Sequence, residues 1–249
     1  MSDYIIGGWA QSVSHQPPTS FSYTMYGMVT NLEFLTTGTP SNPGWSPAST
    51  LAPRTEGKAL WTYGGGGCLP RDMPANSLDI DKIVQATELQ QWAGVDFDDE
   101  CNMNTERIIT TMRTLKPKQS SYTFLAGWAY NNPEASPSGQ AINEAVAQIS
   151  MANVADRYIM MCYGSQMWTM KEIKANVGAA IKRTIEHDVP EKKIILALTP
   201  RGLTSEALDY FLHQVISNRI GGLFVWNFPA LKPDHLETIE MTLGINSYA

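Results

Sequence analysis

GVDFDDE, residues 94–100, places four carboxylates within five positions, directly after a segment with helical periodicity. Side chains alternate between the two faces of a strand, so Asp96, Asp98 and Glu100 share one face. If Phe97, on the opposite face, packs against an apolar helix layer, the three acids project into the interior of the fold. The segment therefore predicts a strand that buries negative charge. Two other interpretations stay open, a solvated loop rim and a divalent-cation site, although the spacing is not that of a calcium loop.

Segments with strand character recur along the whole chain. Eight apolar runs have the length of strands: YIIGGW (4–9), TMYGMVT (24–30), KALWTYGG (58–65), GVDF (94–97), YTFLAGW (122–128), RYIMMCY (157–163), KKIILAL (192–198) and GGLFVWNF (221–228). Helical patterns separate most of them: 77–92, 104–116, 139–151, 170–188, 205–219 and 233–243. Strands that alternate with helices pair in parallel, because a parallel crossover needs about a dozen residues. Eight such units in 249 residues predict an α/β fold, a single (β/α)8 TIM barrel domain over residues 1–249.

An open, doubly wound sheet is the competing architecture. Such a sheet normally carries a glycine-rich phosphate turn, and YGGGGC (63–68) lacks the GxGxxG context of a strand followed at once by a helix. Residues 36–57 are rich in Pro, Ser, Thr and Gly, so they predict a long loop, with the second helix of the barrel short or missing.

Composition limits the partners that we expect. The net charge is −6, and Lys and Arg form no cluster, so nucleic acid is not an expected partner. No run approaches the roughly 18 apolar residues of a membrane span, and MSDYIIGGWA lacks the basic start of a signal peptide. We therefore expect no membrane partner, and a chain that is cytoplasmic, or secreted if this is the mature form.

The three cysteines, Cys68, Cys101 and Cys162, show no CxxC spacing, and they signal neither a zinc site nor a disulfide framework. All three map to the carboxyl ends of predicted strands. Cys68 and Cys101 could approach each other across adjacent strands, and a pair of free thiols is the alternative. No metal and no cofactor is expected.

Motifs in four strands resemble those of family 18 glycoside hydrolases, the chitinases and related N-acetylglucosaminidases. AGVDFDDE (93–100) resembles the fourth-strand signature DGxDxDxE, and TYGG (62–65) resembles the third-strand motif SxGG. MCYG (161–164) resembles the sixth-strand motif MxYD, and GGLFVWNF (221–228) resembles the eighth strand with its tryptophan. The motifs follow the family's order along nearly the whole chain.

The resemblance implies a retaining, substrate-assisted hydrolase of β-1,4-linked N-acetylglucosamine polymers, such as chitin or its oligosaccharides. Glu100 would be the general acid and later the base, and Asp98 would orient the substrate N-acetyl group and stabilise its developing charge. Asp96 and Thr62 would support Asp98 by hydrogen bonds, and Tyr163 would donate to the acetamido carbonyl.

Substrate binding falls on residues of these motifs and on aromatic residues of the expected loops. Trp226 would form the apolar floor under the sugar, and flat rings of the kind expected in the loops stack on the apolar faces of sugars. The full set of substrate-binding candidates is Trp226, Thr62, Met161, Gly65, Trp9, Trp45 and Trp128; Tyr130 and Trp168 add weaker aromatic support. Tyr163, Trp226 and each loop aromatic can also be read as packing residues.

Two positions depart from the family pattern. Ala93 stands where the signature begins with Asp, and Gly164 stands where an Asp that contacts the sugar follows the sixth-strand Tyr. These losses keep open a catalytically weak or inactive carbohydrate-binding protein of the lectin or storage type. Within the enzyme class, an endo-β-N-acetylglucosaminidase acting on N-glycans or peptidoglycan is the alternative to a chitinase.

Overall fold

Eight parallel strands form a closed barrel, which confirms the predicted fold class. The computed structural model describes residues 4–12, 14–29, 58–66, 77–89, 92–164 and 167–245. The strands are β1 (Ile5–Ala10), β2 (Tyr23–Val29), β3 (Lys58–Gly64), β4 (Gly94–Asp99), β5 (Gln119–Leu125), β6 (Arg157–Met161), β7 (Ile194–Leu198) and β8 (Gly222–Trp226). Each strand pairs with the next in the chain, and β8 pairs with β1 to close the barrel.

Helices follow the strands around the outside of the barrel. The described ones are α1 (Ser77–Leu89), α2 (Thr105–Leu115), α3 (Trp128–Asn131), α4 (Pro137–Ala152), α5 (Met170–Glu186), α6 (Ser205–Ser217) and α7 (Pro233–Thr242). Short 3-10 turns lie at Pro133–Ala135, Glu191–Lys193 and Phe228–Ala230. The expectation of a short or missing second helix concerns residues 36–57, which lie outside the described residues. None of the described helices is long and apolar enough to cross a membrane.

Side-chain caps fix where several helices begin. Ser136 accepts a hydrogen bond from the first turn of α4, and Thr204 does the same for α6. Thr169 and Glu172 form a reciprocal capping box at the start of α5. Such caps satisfy backbone N–H groups that have no partner within the helix. They therefore end the loops that follow β5, β6 and β7 at defined residues.

Strands β4 and β5 differ in extent from the prediction. β4 continues past Phe97 to Asp99, because Asp98 and Asp99 stay in register with Thr123 and Phe124 of β5. The interpretation of this segment as a solvated rim is wrong, since all six residues of β4 are buried. β5 begins at Gln119 and ends at Leu125, three residues earlier at each end than the predicted 122–128.

The interior of the barrel is divided into two halves. The apolar half is formed by Trp9, Met25, Leu60, Ile159, Ile195, Ala197 and Phe224. The polar half, carried by β3 to β6, contains the buried residues Thr62, Asp96, Asp98, Ser121, Thr123 and Arg157. Phe97 points the other way, into the layer between barrel and helices, where it packs edge-to-face on Tyr63. The alternation predicted for this strand is therefore confirmed, and the acids enter the polar half.

Candidate active site

Asp96 lies in the polar half, where side-chain hydroxyls surround its carboxyl. Ser121 and Thr123 donate to Oδ1 at 2.6 and 2.7 Å, and Thr62 donates to Oδ2 at 3.4 Å. Burial raises the pKa of Asp96 to about 6, although these hydrogen bonds and the charge of Arg157 oppose part of the rise. Asp96 is thus a buried carboxyl with donors aimed at its ionised form.

Asp98 is the next inward-facing residue of β4, and its environment is the opposite. It is fully buried, and neither carboxyl oxygen has a hydrogen-bond partner among the described residues. Thr62, which the resemblance assigned to its support, donates to Asp96 instead. Burial raises the pKa of Asp98 well above its ordinary value, and the neighbouring charges of Glu100 and Asp96 raise it further. Asp98 therefore keeps its proton to a higher pH than an ordinary Asp does.

Replacing Asp98 by Asn should flatten the dependence of stability on pH. The folded-state pKa of Asp98 is raised, so its stabilising contribution is fully present below the unfolded pKa, near 3.9, and is lost as pH rises through the folded pKa. The free energy of unfolding of the wild type should fall from about pH 4 upward. The free energy of unfolding of Asp98→Asn should fall less over the same range, because the amide cannot ionise. Urea unfolding across this range measures the slope. Exposed Asp209 provides the control Asp209→Asn, which keeps the wild-type slope; an equally steep slope in Asp98→Asn would contradict this account.

Glu100 follows the last residue of β4 and stands at the barrel mouth, the rim formed by the carboxyl ends of the strands. Glu100 is an exposed residue, yet desolvation of its carboxyl raises its pKa, and the charge of Asp99 raises it further. A carboxylic acid with a raised pKa keeps its proton closer to neutral pH, which is what a general acid requires.

Asp99 has a positioning role that the sequence did not reveal. Its Oδ2 accepts a hydrogen bond from the Tyr122 hydroxyl at 2.9 Å, and its Oδ1 accepts one from the backbone N–H of Met103 at 2.8 Å. Asp99 thereby ties the end of β4 to β5 and to the turn before α2. The backbone on either side of Glu100 is fixed as a result.

The glycines of the TYGG motif explain how β3 meets β4 at the mouth. Gly64 and Gly65 have φ values of 101° and 88°, the region that favours glycine. A Cβ on Gly64 would collide with the Asp98 carbonyl oxygen, and the Gly65 N–H donates to that oxygen at 2.7 Å. In this structure, the role of Gly65 is thus to hold the backbone of Asp98.

Tyr163 follows β6 and brings a phenol toward the acids. Its hydroxyl is buried and has no hydrogen-bond partner within the described part of the chain. Burial raises the pKa of Tyr163, and the charges of Asp98 and Glu100 raise it further, which places the phenol in their electrostatic field. The hydroxyl therefore stays protonated and is available as a donor.

Trp226, at the end of β8, forms the floor of the mouth opposite β4. It stacks on Trp9 with ring centres 4.0 Å apart and an interplanar angle of 5°, and Tyr163 lies 6.1 Å away. Trp9 is buried, and its indole N–H donates to the Gly27 carbonyl at 3.0 Å. Trp226 is only partly buried, so Trp9 supports it from below. Met161, the last residue of β6, is also buried.

A cavity of about 360 Å³ opens beside Glu100, between the ends of β4 and β5. It is lined by Asp99, Glu100, Asn102, Leu125, Gly127, Trp128, Ala129, Ser138 and Ile142. Trp128 begins α3 and is 44% exposed, so a large part of its indole is open to solvent. Aromatic and aliphatic side chains therefore line part of the cavity, and Glu100 lines another part.

The remaining aromatic candidates divide into two groups. Tyr130 is fully buried, and its hydroxyl pairs with that of Thr184 at 2.9 Å, so it is a packing residue. Trp168 is 59% exposed, with the guanidinium of Arg201 5.7 Å from its ring centre. Trp45 lies outside the described residues.

Gly164, Cys101 and Cys162 follow the carboxyl ends of β6 and β4, near the mouth, whereas Ala93 directly precedes β4 at the opposite end of the strand. Gly164 has a φ of 63°, a left-handed conformation that favours glycine over the expected Asp. Cys101 is disulfide-bonded and Cys162 is a buried free thiol, while Cys68 lies outside the described residues. Among the described residues, no three His, Cys, Asp or Glu side chains are grouped so as to hold a metal ion.

Solved structures of family 18 proteins share this fold. A GH18 chitinase from Pseudoalteromonas aurantia superposes with a TM-score of 0.66 at 12% identity, covering 96% of this chain and 99% of that one. A chitinase from Chromobacterium violaceum gives 0.66 at 9% identity, covering 98% and 100%. A fungal endo-beta-N-acetylglucosaminidase from glycosyl hydrolase family 18 gives 0.62 at 14% identity, covering 97% of each chain.

No protein-family model matches the chain, and no curated protein matches it. At these identities the likeness concerns the fold. The fold is therefore that of the family 18 chitinases, a chitinase-like (β/α)8 barrel.

Proposed function

We propose that this protein is a glycoside hydrolase that cleaves β-1,4-linked N-acetylglucosamine polymers, chitin or its oligosaccharides, by a retaining, substrate-assisted mechanism. One observation carries the proposal: β4 contains a buried carboxyl, Asp98, that has no hydrogen-bond partner in the described part of the chain, two positions before the mouth-facing acid Glu100. A buried acceptor without a donor lowers the stability of the fold. A substrate N–H that donated a hydrogen bond to Asp98 would remove this cost.

The arrangement of the acids argues against a nucleophile from the protein. A retaining enzyme with such a nucleophile needs two carboxyls about 5 to 5.5 Å apart that flank the scissile bond. Asp98 lies in β4 and Glu100 directly follows this strand, about 6.6 Å further along extended backbone, so both carboxyls belong to one wall of the barrel and cannot straddle a sugar ring. The sixth-strand position that could have opposed them is Gly164, which has no side chain. The substrate's own acetamido oxygen is the remaining nucleophile, as in other family 18 enzymes.

The chemical steps then follow from the positions of the residues. Glu100 gives its proton to the glycosidic oxygen while the acetamido carbonyl oxygen bonds to the anomeric carbon, and the bond to the leaving sugar breaks. Asp98 lies against the acetamido nitrogen, where positive charge develops, and the Tyr163 hydroxyl donates to the acetamido oxygen. Glu100, now a carboxylate, takes a proton from water as that water attacks the anomeric carbon and restores the acetamido group. Two displacements at one carbon retain its configuration.

The two sides of the mouth divide the substrate between them. Trp226 provides a flat apolar surface for the sugar whose acetamido group reacts, and Trp9 holds that surface in place. The cavity beside Glu100 takes the leaving-group side, because Glu100 must face the glycosidic oxygen and Trp128 lines the space beyond it.

Incubation with chitin oligosaccharides, followed by mass spectrometry of the products, tests the proposal. We expect shorter oligosaccharides, a first product with retained β configuration by NMR, and inhibition by a thiazoline mimic of the cyclic intermediate. Cellulose and fully deacetylated chitosan should not be cleaved, because neither supplies an acetamido oxygen. An inverted first product, or efficient cleavage of chitosan, would contradict the mechanism. Parallel incubations with N-glycan cores and peptidoglycan test the endo-β-N-acetylglucosaminidase alternative.

Gly164 and Ala93 favour a second candidate, a chitinase-like carbohydrate-binding protein without turnover. Gly164 lacks the carboxylate that the family pattern places against the sugar, and Ala93 lacks the Asp that begins the fourth-strand signature. Under this reading, oligosaccharides bind and no product forms. Measured hydrolysis would exclude it.

Both candidates require Trp226 as a binding surface. Trp226→Ala should raise the Kd for chitin oligosaccharides about tenfold, because an aromatic contact contributes ~0.5–1.5 kcal/mol in addition to the apolar area that it buries. Trp226→Phe keeps a flat ring on Trp9 and should lose less affinity. Isothermal titration calorimetry of the three proteins measures the difference. Unchanged affinity in the Ala variant would remove Trp226 from the site.

A further inference from the structure

We propose that Arg157 is a positioning residue that acts through Asp96. Arg157 is the first residue of β6, at the end of the barrel away from the mouth, and its positive charge keeps Asp96, rather than Asp98, as the ionised carboxyl of the pair. The consequence for turnover rests on the proposed function. The claim that Asp96 is ionised does not depend on the proposed function, since the charge on Asp96 can be measured on the protein without substrate.

The register of the barrel places Arg157 in the same layer as Asp96. Thr62 of β3 pairs with Asp96, Asp96 pairs with Ser121 of β5, and Ser121 pairs with Arg157, the first residue of β6. In-register residues of parallel strands point to the same face, so the four side chains form one layer inside the barrel. Asp98 lies one inward position closer to the mouth, directly above this layer.

The guanidinium of Arg157 is buried and incompletely paired. The residue is 5% exposed, and its Nη2 has no hydrogen-bond partner among the described residues. Its Nη1 donates to Gln119 Oε1 at 3.2 Å, and its Cζ lies 3.5 Å from the centre of the Tyr23 ring. A buried cation without a directly bonded carboxylate lowers the stability of the fold, so we infer that Arg157 has an electrostatic role that offsets this cost.

Asp96 is the buried carboxylate on which Arg157 acts. The groups that stabilise the guanidinium are the Tyr23 phenol, which is hydrogen-bonded to it, and the carboxylates of Asp156 and Asp96. Asp156 is partly exposed and already binds Lys116 at 3.1 Å and the Ser120 N–H at 2.8 Å. Inside the barrel, the charge of Arg157 therefore opposes the cost of ionising Asp96.

Two adjacent buried carboxyls disfavour double ionisation, so the proton goes to the one whose anion is less stabilised. Asp96 has three hydroxyl donors and Arg157, whereas Asp98 has no donor among the described residues. Asp98 therefore carries the proton and Asp96 carries the charge. This charge lies beneath the position where the reacting acetamido group becomes positive.

Other groups also face Asp96, and they determine the sign of the effect. From β4 itself, Asp98 disfavours joint ionisation with Asp96, and Tyr163, above the layer, is a neutral phenol. On the opposite side, Tyr23 of β2 lies against Arg157. Arg157 is thus the cation that lowers the pKa of Asp96, and its loss should raise that pKa.

A carboxyl ¹³C NMR titration of the resting protein, with the Asp96 signal assigned by its absence in Asp96→Asn, tests the inference. We expect Asp96 to be ionised and Asp98 protonated at neutral pH in the wild type. In Arg157→Met the Asp96 midpoint should rise by about one unit, because the opposing positive charge in the same layer is lost. Arg157→Lys keeps the charge and should stay near the wild type. If Arg157→Met does not fold, Arg157→Gln, which can still bond Gln119, serves the same comparison.

An activity profile separates this inference from the proposed function. The acidic limb of kcat/KM for chitin oligosaccharides should move to higher pH in Arg157→Met and return in Arg157→Lys, with the alkaline limb unchanged. A wild-type titration with Asp98 ionised and Asp96 protonated, or an unmoved Asp96 midpoint in the neutral variants, would overturn the inference even if hydrolysis is measured. Absence of hydrolysis with the expected NMR shifts would instead overturn the proposed function alone.

Discussion

Glu100→Gln should lower kcat for chitin oligosaccharides by about 10²- to 10⁴-fold, the loss typical of removing a general acid. Gln keeps the size and polarity of the side chain but has no proton to give to the glycosidic oxygen. Because Glu100 stands at the mouth and makes no hydrogen bond that stabilises the barrel among those described, the fold and the affinity for oligosaccharides should be retained. Steady-state kinetics and calorimetric titration together separate these effects.

Two comparisons sharpen the Glu100 experiment. An aryl glycoside of chitobiose has an acidic leaving group that needs little proton donation, so bond breaking in Glu100→Gln should be impaired less than with a natural oligosaccharide. Glu106, an exposed acid in the first turn of α2, supplies the control variant Glu106→Gln, which should have wild-type turnover. Full activity in Glu100→Gln would show that another residue donates the proton.

Asp98→Asn should lower turnover by roughly 10²- to 10³-fold, the range for removing one preorganised electrostatic partner, although Glu100 is intact. Unlike the carboxyl, the amide has no acidic proton to give up, so it cannot become the anion that balances the positive charge developing on the acetamido group. The loss should fall on kcat more than on KM, because the charge is present in the transition state and absent from the bound substrate. A pre-steady-state measurement with the aryl substrate should show that formation of the cyclic intermediate has slowed.

Asp99→Asn provides the matched comparison for Asp98→Asn, because Asp99 is also buried on β4 but points toward Tyr122. That substitution should cost stability with a smaller loss of turnover. Wild-type turnover in Asp98→Asn would reduce Asp98 to a structural residue.

Much of the barrel was predictable from the sequence because its strands carry strong local signals. Runs such as 192–198 and 221–228 are apolar, short and bounded by turns or helical patterns, and each matches an observed strand within a few residues. The alternation of Asp96, Phe97 and Asp98 also follows from strand geometry alone. These features depend on neighbouring residues in the chain, which is the information that a sequence displays.

The environment of each acid was not predictable, because it depends on register between strands. Ser121, Thr123 and Arg157 approach Asp96 only through the pairing of β4, β5 and β6. The sequence does show that Ser121 and Thr123 share one face of β5 and that Arg157 shares one face of β6 with Ile159. However, an Arg at the start of a strand normally indicates a solvent-exposed side chain.

Pairing also explains the two interpretations that failed at the end of β4. Asp98 and Asp99 disfavour a strand by composition, yet pairing with Thr123 and Phe124 keeps both in the sheet. Thr62 was assigned to Asp98 by analogy, whereas its register places it beside Asp96. In both cases a contact between distant residues outweighed the local pattern.

The stack of Trp9 on Trp226 joins the first strand of the barrel to the last. Trp9 and Trp226 are separated by most of the chain, so closing their contact costs much loop entropy, and we expect it to form late during folding. A ribosome-bound or truncated chain that lacks β8 also lacks Trp226, even when β4 and its acids are already in place. The surface that we propose to bind sugar should therefore appear only when the last strand closes the barrel.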